Sequence, residues 1–338
     1  MFILDPFATL SSAVAEAMNR AVDAAALFRG ATAPNPPVGC TLLDDSGCIL
    51  AVEAHRRAGG PHAEAAAIAF CRDSGTLDRI RTVVVTLEPC NHWGRTPPCT
   101  EAILSTPAAS VVIGAADPNS MVAGGGLARL RAAGLAVCDL GDMPDGGAVA
   151  LAARCSDLIA PFAKRAATGR PWVTVKQALD PSGSMIPPPG AKTFTSPAAL
   201  RYAHALRRRA DAVLTGSGTV LADDPDFTVR RVPDHPGRQR QLAILDRRHR
   251  VPARYMEAAA ERRLDAFTAD DLGAALDRLA AAGALEVLVE AGPAVTGSVL
   301  DGDAWDEHVL IFKGATPGAP DQAEVRRRGG GVATLDLA

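Results

Sequence analysis

The chain has 338 residues, with 35 Lys and Arg against 38 Asp and Glu, a length that exceeds one core and calls for two domains. Residues 1–169 carry 13 basic and 16 acidic side chains and the remainder 22 of each, so neither half has the basic surplus of a nucleic-acid-binding domain. Seven cysteines, an odd number behind an N-terminus with no basic leader, argue against a disulfide framework, and no run of about 18 apolar residues supports a membrane span. Cytoplasmic location is the expectation.

In chain order, Ser11 or Ser12 can cap a helix through about Leu27 with Val14, Met18, Ala21, Val22 and Ala25 on one face. Val38 to Asp44 and Cys48 to Ala54 read as a hairpin around Asp45-Ser46-Gly47. The alanine-rich run from Ala63 to about Ser74 is a helix with His62 and Glu64 at its start. Thr82 to Leu87 is a buried strand leading to Cys90, and a helix starts near Pro98. Val111 to Ala115 is a strand, Gly124 to Ala133 a helix, Gly134 to Cys138 a strand, and Gly147 to Ala166 a long helix. This alternation predicts a three-layer α/β/α domain with a largely parallel sheet.

A boundary at Thr168-Gly169-Arg170-Pro171 divides residues 1–169 from 170–338. Beyond it the alternation restarts, with strands at 172–176, 212–215, 242–245, 287–290 and 308–312 and helices at 197–209 and 272–282. The second half is therefore also α/β.

The chemistry concentrates in Pro61-His62-Ala63-Glu64 and Pro89-Cys90 through Pro98-Cys99. One imidazole and two thiolates suit zinc, and three protein ligands leave a fourth position for water, as in a catalytic site. Glu64, two residues from the ligand imidazole, is placed to move protons without binding the metal. The same pattern serves zinc nucleobase deaminases. Eight residues separate Cys90 from Cys99, so Asn91 to Pro98 form a loop at the mouth of the site, where His92 and Arg95 could meet an anionic group. A structural zinc knot would take four protein ligands and leave Glu64 unused.

Three stretches, Pro34-Asn35-Pro36-Pro37-Val38-Gly39-Cys40, His55 to Glu64, and Glu88-Pro89-Cys90 through Cys99, resemble the bifunctional deaminase/reductase family of riboflavin biosynthesis. The likeness continues through Asp117-Pro118-Asn119 and Gly124 to Gly126. It implies a cytidine-deaminase-like first domain that removes the 2-amino group of 2,5-diamino-6-(5-phosphoribosylamino)pyrimidin-4(3H)-one, with Asn35, His55, His92 and Arg95 around this pyrimidine ribonucleotide-like substrate. It also implies a dihydrofolate-reductase-like second domain that uses NADPH to reduce the ribosyl group of the deaminated product to ribityl.

In the second half the likeness rests on Thr215 to Pro225, Phe227 to Arg230 and Val289 to Gly297. It implies that Ala178, Thr219, Asp223 and Gly292 contact NADPH, and that Arg207, Arg230 and Glu290 contact substrate. Three stretches depart from the family pattern. Asp180-Pro181-Ser182-Gly183 replaces Ser-Leu-Asp-Gly, Ala191 to Ser196 lacks the expected serine and tryptophan, and Arg247 stands where a serine is usual. The expectation is a zinc- and NADPH-dependent, homo-oligomeric enzyme that binds neither nucleic acid nor membrane. The alternative is a deaminase whose second half is inactive.

Overall fold

The structure, a computed structural model, describes residues 10–93, 97–119, 123–191, 193–316 and 319–337. Two compact units divide between Ala167 and Thr168. Among the described residues, no helix is long and apolar enough to cross a membrane.

The first unit opens with α1 (Ser12–Ala26), whose cap is the Ser11 hydroxyl accepting the Val14 N–H. Its apolar face of Val14, Ala17, Met18, Ala21 and Val22 is buried. It lies directly on β1 (Gly39–Leu43), because a Cβ at Gly39 would stand 1.9 Å from the Ala21 carbonyl oxygen. Then follow β2 (Ile49–Ala54), α2 (Ala63–Asp73), β3 (Thr82–Val85), α3 (Cys99–Leu104), β4 (Ser110–Ile113), α4 (Gly125–Ala132), β5 (Ala136–Asp139) and α5 (Gly146–Thr168).

The sheet order is β2-β1-β3-β4-β5. β3 shows how it is covered on both faces: Val84 packs with α1 and α5, whereas Val83 and Val85 pack with α2, α3 and α4. The expected three layers are present, but the expected largely parallel sheet is mixed. β1 runs antiparallel to both β2 and β3, and β3, β4 and β5 are parallel. The expected hairpin is present: the Asp44 carboxylate accepts the N–H groups of Ser46 and Cys48 and returns the chain at once, which sets β2 antiparallel to β1. β3 also ends at Val85, before the expected Leu87, which leaves a short irregular stretch ahead of Cys90.

The second unit contains β6 (Trp172–Leu179), α6 (Pro197–Arg209), β7 (Ala212–Gly216), α7 (Ser217–Asp223), β8 (Arg240–Leu245), α8 (Ala253–Glu261) and β9 (Leu264–Ala269). It continues with α9 (Leu272–Ala281), β10 (Glu286–Val289), α10 (Pro293–Asp301), β11 (Glu307–Phe312), β12 (Asp321–Arg327) and β13 (Val332–Leu337). Its sheet order is β13-β12-β11-β6-β10-β7-β8-β9. The strands from β11 to β9 are parallel, and β12 and β13 add an antiparallel hairpin. The tail beyond Gly314 thus extends the sheet. Buried Asp321 anchors it by accepting the N–H groups of Ser196 and Gly314.

Candidate active sites

His62 is the N-cap residue of α2, and Cys99 is the first residue of α3. The imidazole Nδ1 lies 3.6 Å from the Cys90 sulfur and 3.4 Å from the Cys99 sulfur. All three ligand atoms fall within 4.8 Å of one another, a spacing that one small cation can bridge. The Cys99 backbone N–H, at the start of α3, donates to the Cys90 sulfur at 3.3 Å. Hydrogen bonding from the Cys99 thiol, aided by His62, lowers Cys90 to about 4, and the same bond with burial pushes Cys99 up. The thiol pair therefore shares one proton, ready to be displaced by a cation that prefers thiolate. The donor set of one imidazole and two sulfurs fits zinc.

Glu64 is 3 % exposed, and burial is the main cause that raises its pKa. Its carboxyl interacts with the Cys99 thiol, so it reaches the ligand cluster from the first turn of α2. Beside it, the His55 Nδ1 donates to the Pro61 carbonyl at 2.8 Å. That leaves the His55 Nε2 as acceptor for the Asn35 amide at 3.5 Å. Burial lowers the pKa of His55, so the ring is neutral near neutral pH. Its ring centroid is 5.3 Å from that of His62. His55, with Asn35 on its ring, therefore lies beside the His62, Cys90 and Cys99 cluster. His92 is exposed on the loop, whereas Arg95 lies outside the described residues.

Glu88, to which sequence reading assigns no role, ties the segment ahead of Cys90 to the start of α4. Its buried carboxylate accepts the N–H groups of Asp117, Gly124, Gly126 and Leu127 at 3.3, 2.9, 2.9 and 3.2 Å. The only sequence signal is its place two residues before a ligand cysteine.

In the second unit the expected residues gather at the C-terminal ends of parallel strands, where open α/β sheets bind ligands. Ala178 is near the end of β6, Thr219 is in the helix after β7, and Glu290 and Gly292 follow β10. The Gly292 N–H donates to the Thr219 hydroxyl at 3.0 Å, which joins the starts of α7 and α10. Gly292 is the N-cap of α10 and its first turn has no acidic residue, so this helix start repels no phosphate of NADPH. Asp223 is exposed one turn beyond Thr219.

Glu290, 5 % exposed, binds the Arg207 guanidinium at 2.6 and 3.2 Å and the Lys176 ammonium at 3.2 Å. Although burial opposes it, the two cations lower the Glu290 pKa to about 2. Lys176 carries no motif of its own; its only legible signal is a lone cation near the end of an apolar strand. Arg230 pairs with Asp226 at 3.3 Å, and its guanidinium is half exposed.

The departures from the family pattern are folded. Asp180 accepts the N–H groups of Ser182 and Ser184 in a closed turn after β6, and Ser196 caps α6. Lys192 lies outside the described residues, and Arg247 is exposed after β8.

Residues 11–115 match the cytidine and deoxycytidylate deaminase zinc-binding region, and residues 171–337 match the RibD C-terminal domain. The chain is 36 % identical over 290 residues to the riboflavin biosynthesis protein RibD of Mycobacterium tuberculosis, covering 84 % of this chain and 80 % of that protein. The chain belongs to the RibD family. RibD of Escherichia coli is 42 % identical over 214 residues, 63 % of this chain and 55 % of that one. Among solved structures, Acinetobacter baumannii RibD aligns with a TM-score of 0.74 at 29 % identity, covering 90 % of this chain and 88 % of that one. A diaminohydroxyphosphoribosylaminopyrimidine deaminase/5-amino-6-(5-phosphoribosylamino)uracil reductase from Thermotoga maritima aligns at 0.75 with 32 % identity, covering 89 % and 86 %. This RibD-family chain is a bifunctional enzyme of riboflavin biosynthesis with a zinc-dependent deaminase and an NADPH-dependent reductase. The reading of an inactive second half is not favoured, because the reductase family model spans that half from end to end.

Proposed function

We propose that residues 1–169 hydrolyse the 2-amino group of 2,5-diamino-6-(5-phosphoribosylamino)pyrimidin-4(3H)-one, and that residues 170–338 reduce the ribosyl group of the resulting uracil to ribityl with NADPH. The observation that carries this reading is buried Glu64 against the His62, Cys90 and Cys99 cluster. When bound by His62 Nδ1 and the two thiolates, zinc supplies the Lewis acidity that makes water a nucleophile near neutral pH. Glu64 takes a proton from the attacking water as the C–O bond forms and the ring carbon becomes tetrahedral, then delivers it to the amine as the C–N bond breaks and ammonia leaves. Asn35 and neutral His55 meet the ring, and the family resemblance assigns His92 and Arg95 to the phosphate.

In the second half, Gly292 and Thr219 hold the cofactor phosphates, with Ala178 and Asp223 flanking the cofactor. Arg207, Arg230 and Glu290 bind the substrate, and Lys176 fixes Glu290 in its ionised form. The enzyme is placed in the cytoplasm as a homo-oligomer; the exposed edge strand β13, with Val332 and Leu335 in the open, supports assembly. The test feeds the purified protein the diaminopyrimidine substrate with NADPH. Ammonia release followed by loss of nicotinamide absorbance is expected, and deamination without NADPH oxidation would overturn the second half of the proposal.

A further inference from the structure

Between α7 and β8 the chain runs through Asp224 to Arg230 without regular secondary structure. Phe227 in its middle has a φ of 52°, and Asp224 has one of 41°. A bulky aromatic residue in the left-handed region costs on the order of 1–3 kcal/mol and persists only where its surroundings over-determine it. Here they do. Phe227 is buried beside Val220, Leu242 and Tyr255. The Pro225 carbonyl accepts the Tyr255 hydroxyl at 2.7 Å and the Arg262 guanidinium at 3.2 Å. The Thr228 carbonyl accepts Arg207 at 2.8 Å. The last fastening is His204, one turn before Arg207 on α6: its Nδ1 accepts the Arg230 backbone N–H at 3.1 Å, and the ring is 4 % exposed.

The geometry points to His204 as a positioning residue for the reductase site: with Arg207 it clamps the strained Phe227–Arg230 segment and aims the Arg230 guanidinium at the substrate. This rests on the proposal that Arg230 binds substrate. His204 touches no reacting group and acts through Arg230. The N–H of Arg230 is the backbone group next to the Cα that carries the guanidinium, so releasing it turns the side chain without disturbing Glu290. Neutral histidine with the proton on Nε2 is required, because Nδ1 must accept. Leucine fills similar space without an acceptor, whereas the asparagine carbonyl oxygen lies near the position of Nδ1.

The test compares His204→Leu with His204→Asn in the full-length protein, with two readouts. In the steady-state reductase assay, His204→Leu is expected to raise the KM for the ribosyl substrate about tenfold, the scale of one lost hydrogen bond of about 1.4 kcal/mol. NADPH affinity, measured by its fluorescence on binding, stays unchanged, and His204→Asn restores KM to within about threefold. In hydrogen exchange read by mass spectrometry, amides of residues 228–231 exchange about tenfold faster in the leucine variant and at the original rate in the asparagine variant. Equal KM values for the two variants, or a parallel loss of NADPH affinity, would overturn the positioning role. Unchanged exchange would overturn the clamp itself. Altered exchange with an unchanged KM would leave the clamp standing, and Arg230→Ala then separates the two failures: a raised KM there overturns only the positioning role, whereas an unchanged KM removes Arg230 from substrate binding.

Discussion

The Glu88 carboxylate accepts the Gly126 backbone N–H at 2.9 Å, while the Pro89 carbonyl next to it stands 2.2 Å from where a Gly126 Cβ would be. One short segment thus both binds the start of α4 and forbids a side chain there. Four N–H donors converge on Glu88. Glu88→Gln turns an amide NH2 toward two of them and should destabilise the first unit by about 1–3 kcal/mol. Urea denaturation of the zinc-loaded protein checks this. A midpoint equal to that of the natural protein would deny Glu88 its anchoring role. Gly126→Ala should cost a similar amount through the backbone clash.

Glu64→Gln keeps the shape of the side chain and leaves all three ligand atoms in place. Deamination should fall by about 10²–10⁴-fold, the usual contribution of a positioned acid/base. Zinc content by atomic emission should stay at that of the natural enzyme, and NADPH oxidation with deaminated substrate should be unchanged. Full deamination in this variant would return the cluster to the status of a structural knot.

Metal removal should separate the two activities. The ligand residues all belong to the first unit, and the residues gathered at the strand ends of the second include no such cluster among those described. A strong chelator, or Cys90→Ser, is therefore expected to abolish ammonia release and leave reduction of supplied deaminated product within about twofold. Parallel loss of both activities would show that the second unit depends on the metal.

Much of the first site is legible because its residues are local to helix starts: His62 and Glu64 share one turn of α2, and Cys99 opens α3. Alternation of strands and helices likewise announces both units. What stays hidden depends on contacts far apart in sequence. Glu88 acquires its role only through N–H groups 29 to 39 residues away, and Lys176 only through Glu290 across the sheet. The hairpin of β1 and β2 is legible at Asp45-Ser46-Gly47, but the antiparallel pairing of β1 with β3 is not, because no local signal says on which side of β1 the chain re-enters the sheet after α2. β12 and β13 are masked by composition: Arg326 to Arg328 and three glycines read as a polar tail, and β13 is mostly exposed. β9 buries every third residue, Leu264 and Phe267, so no two-residue alternation marks it as a strand.

Acid should weaken the second unit in two separable steps. His204 is a buried base whose pKa is lowered from 6.5 to about 4, first by burial and then by Arg207 and Arg230. Its folded state resists protonation, so stability holds above pH 6.5 and declines as pH falls toward 4, by up to about 3 kcal/mol. Glu290 is an acid lowered from 4.5 to about 2 by Arg207 and Lys176 against the cost of burial. Its contribution is complete above pH 4.5 and disappears as pH falls through about 2. Hydrogen exchange of the β10 amides, which lie in the core of this unit, should therefore quicken between pH 6.5 and 4 once intrinsic exchange rates are divided out. His204→Asn should flatten that decline, while the loss below pH 4.5 remains. If the asparagine variant declines as steeply between pH 6.5 and 4, the titrating group lies elsewhere and His204 is not the buried base that couples this unit to pH.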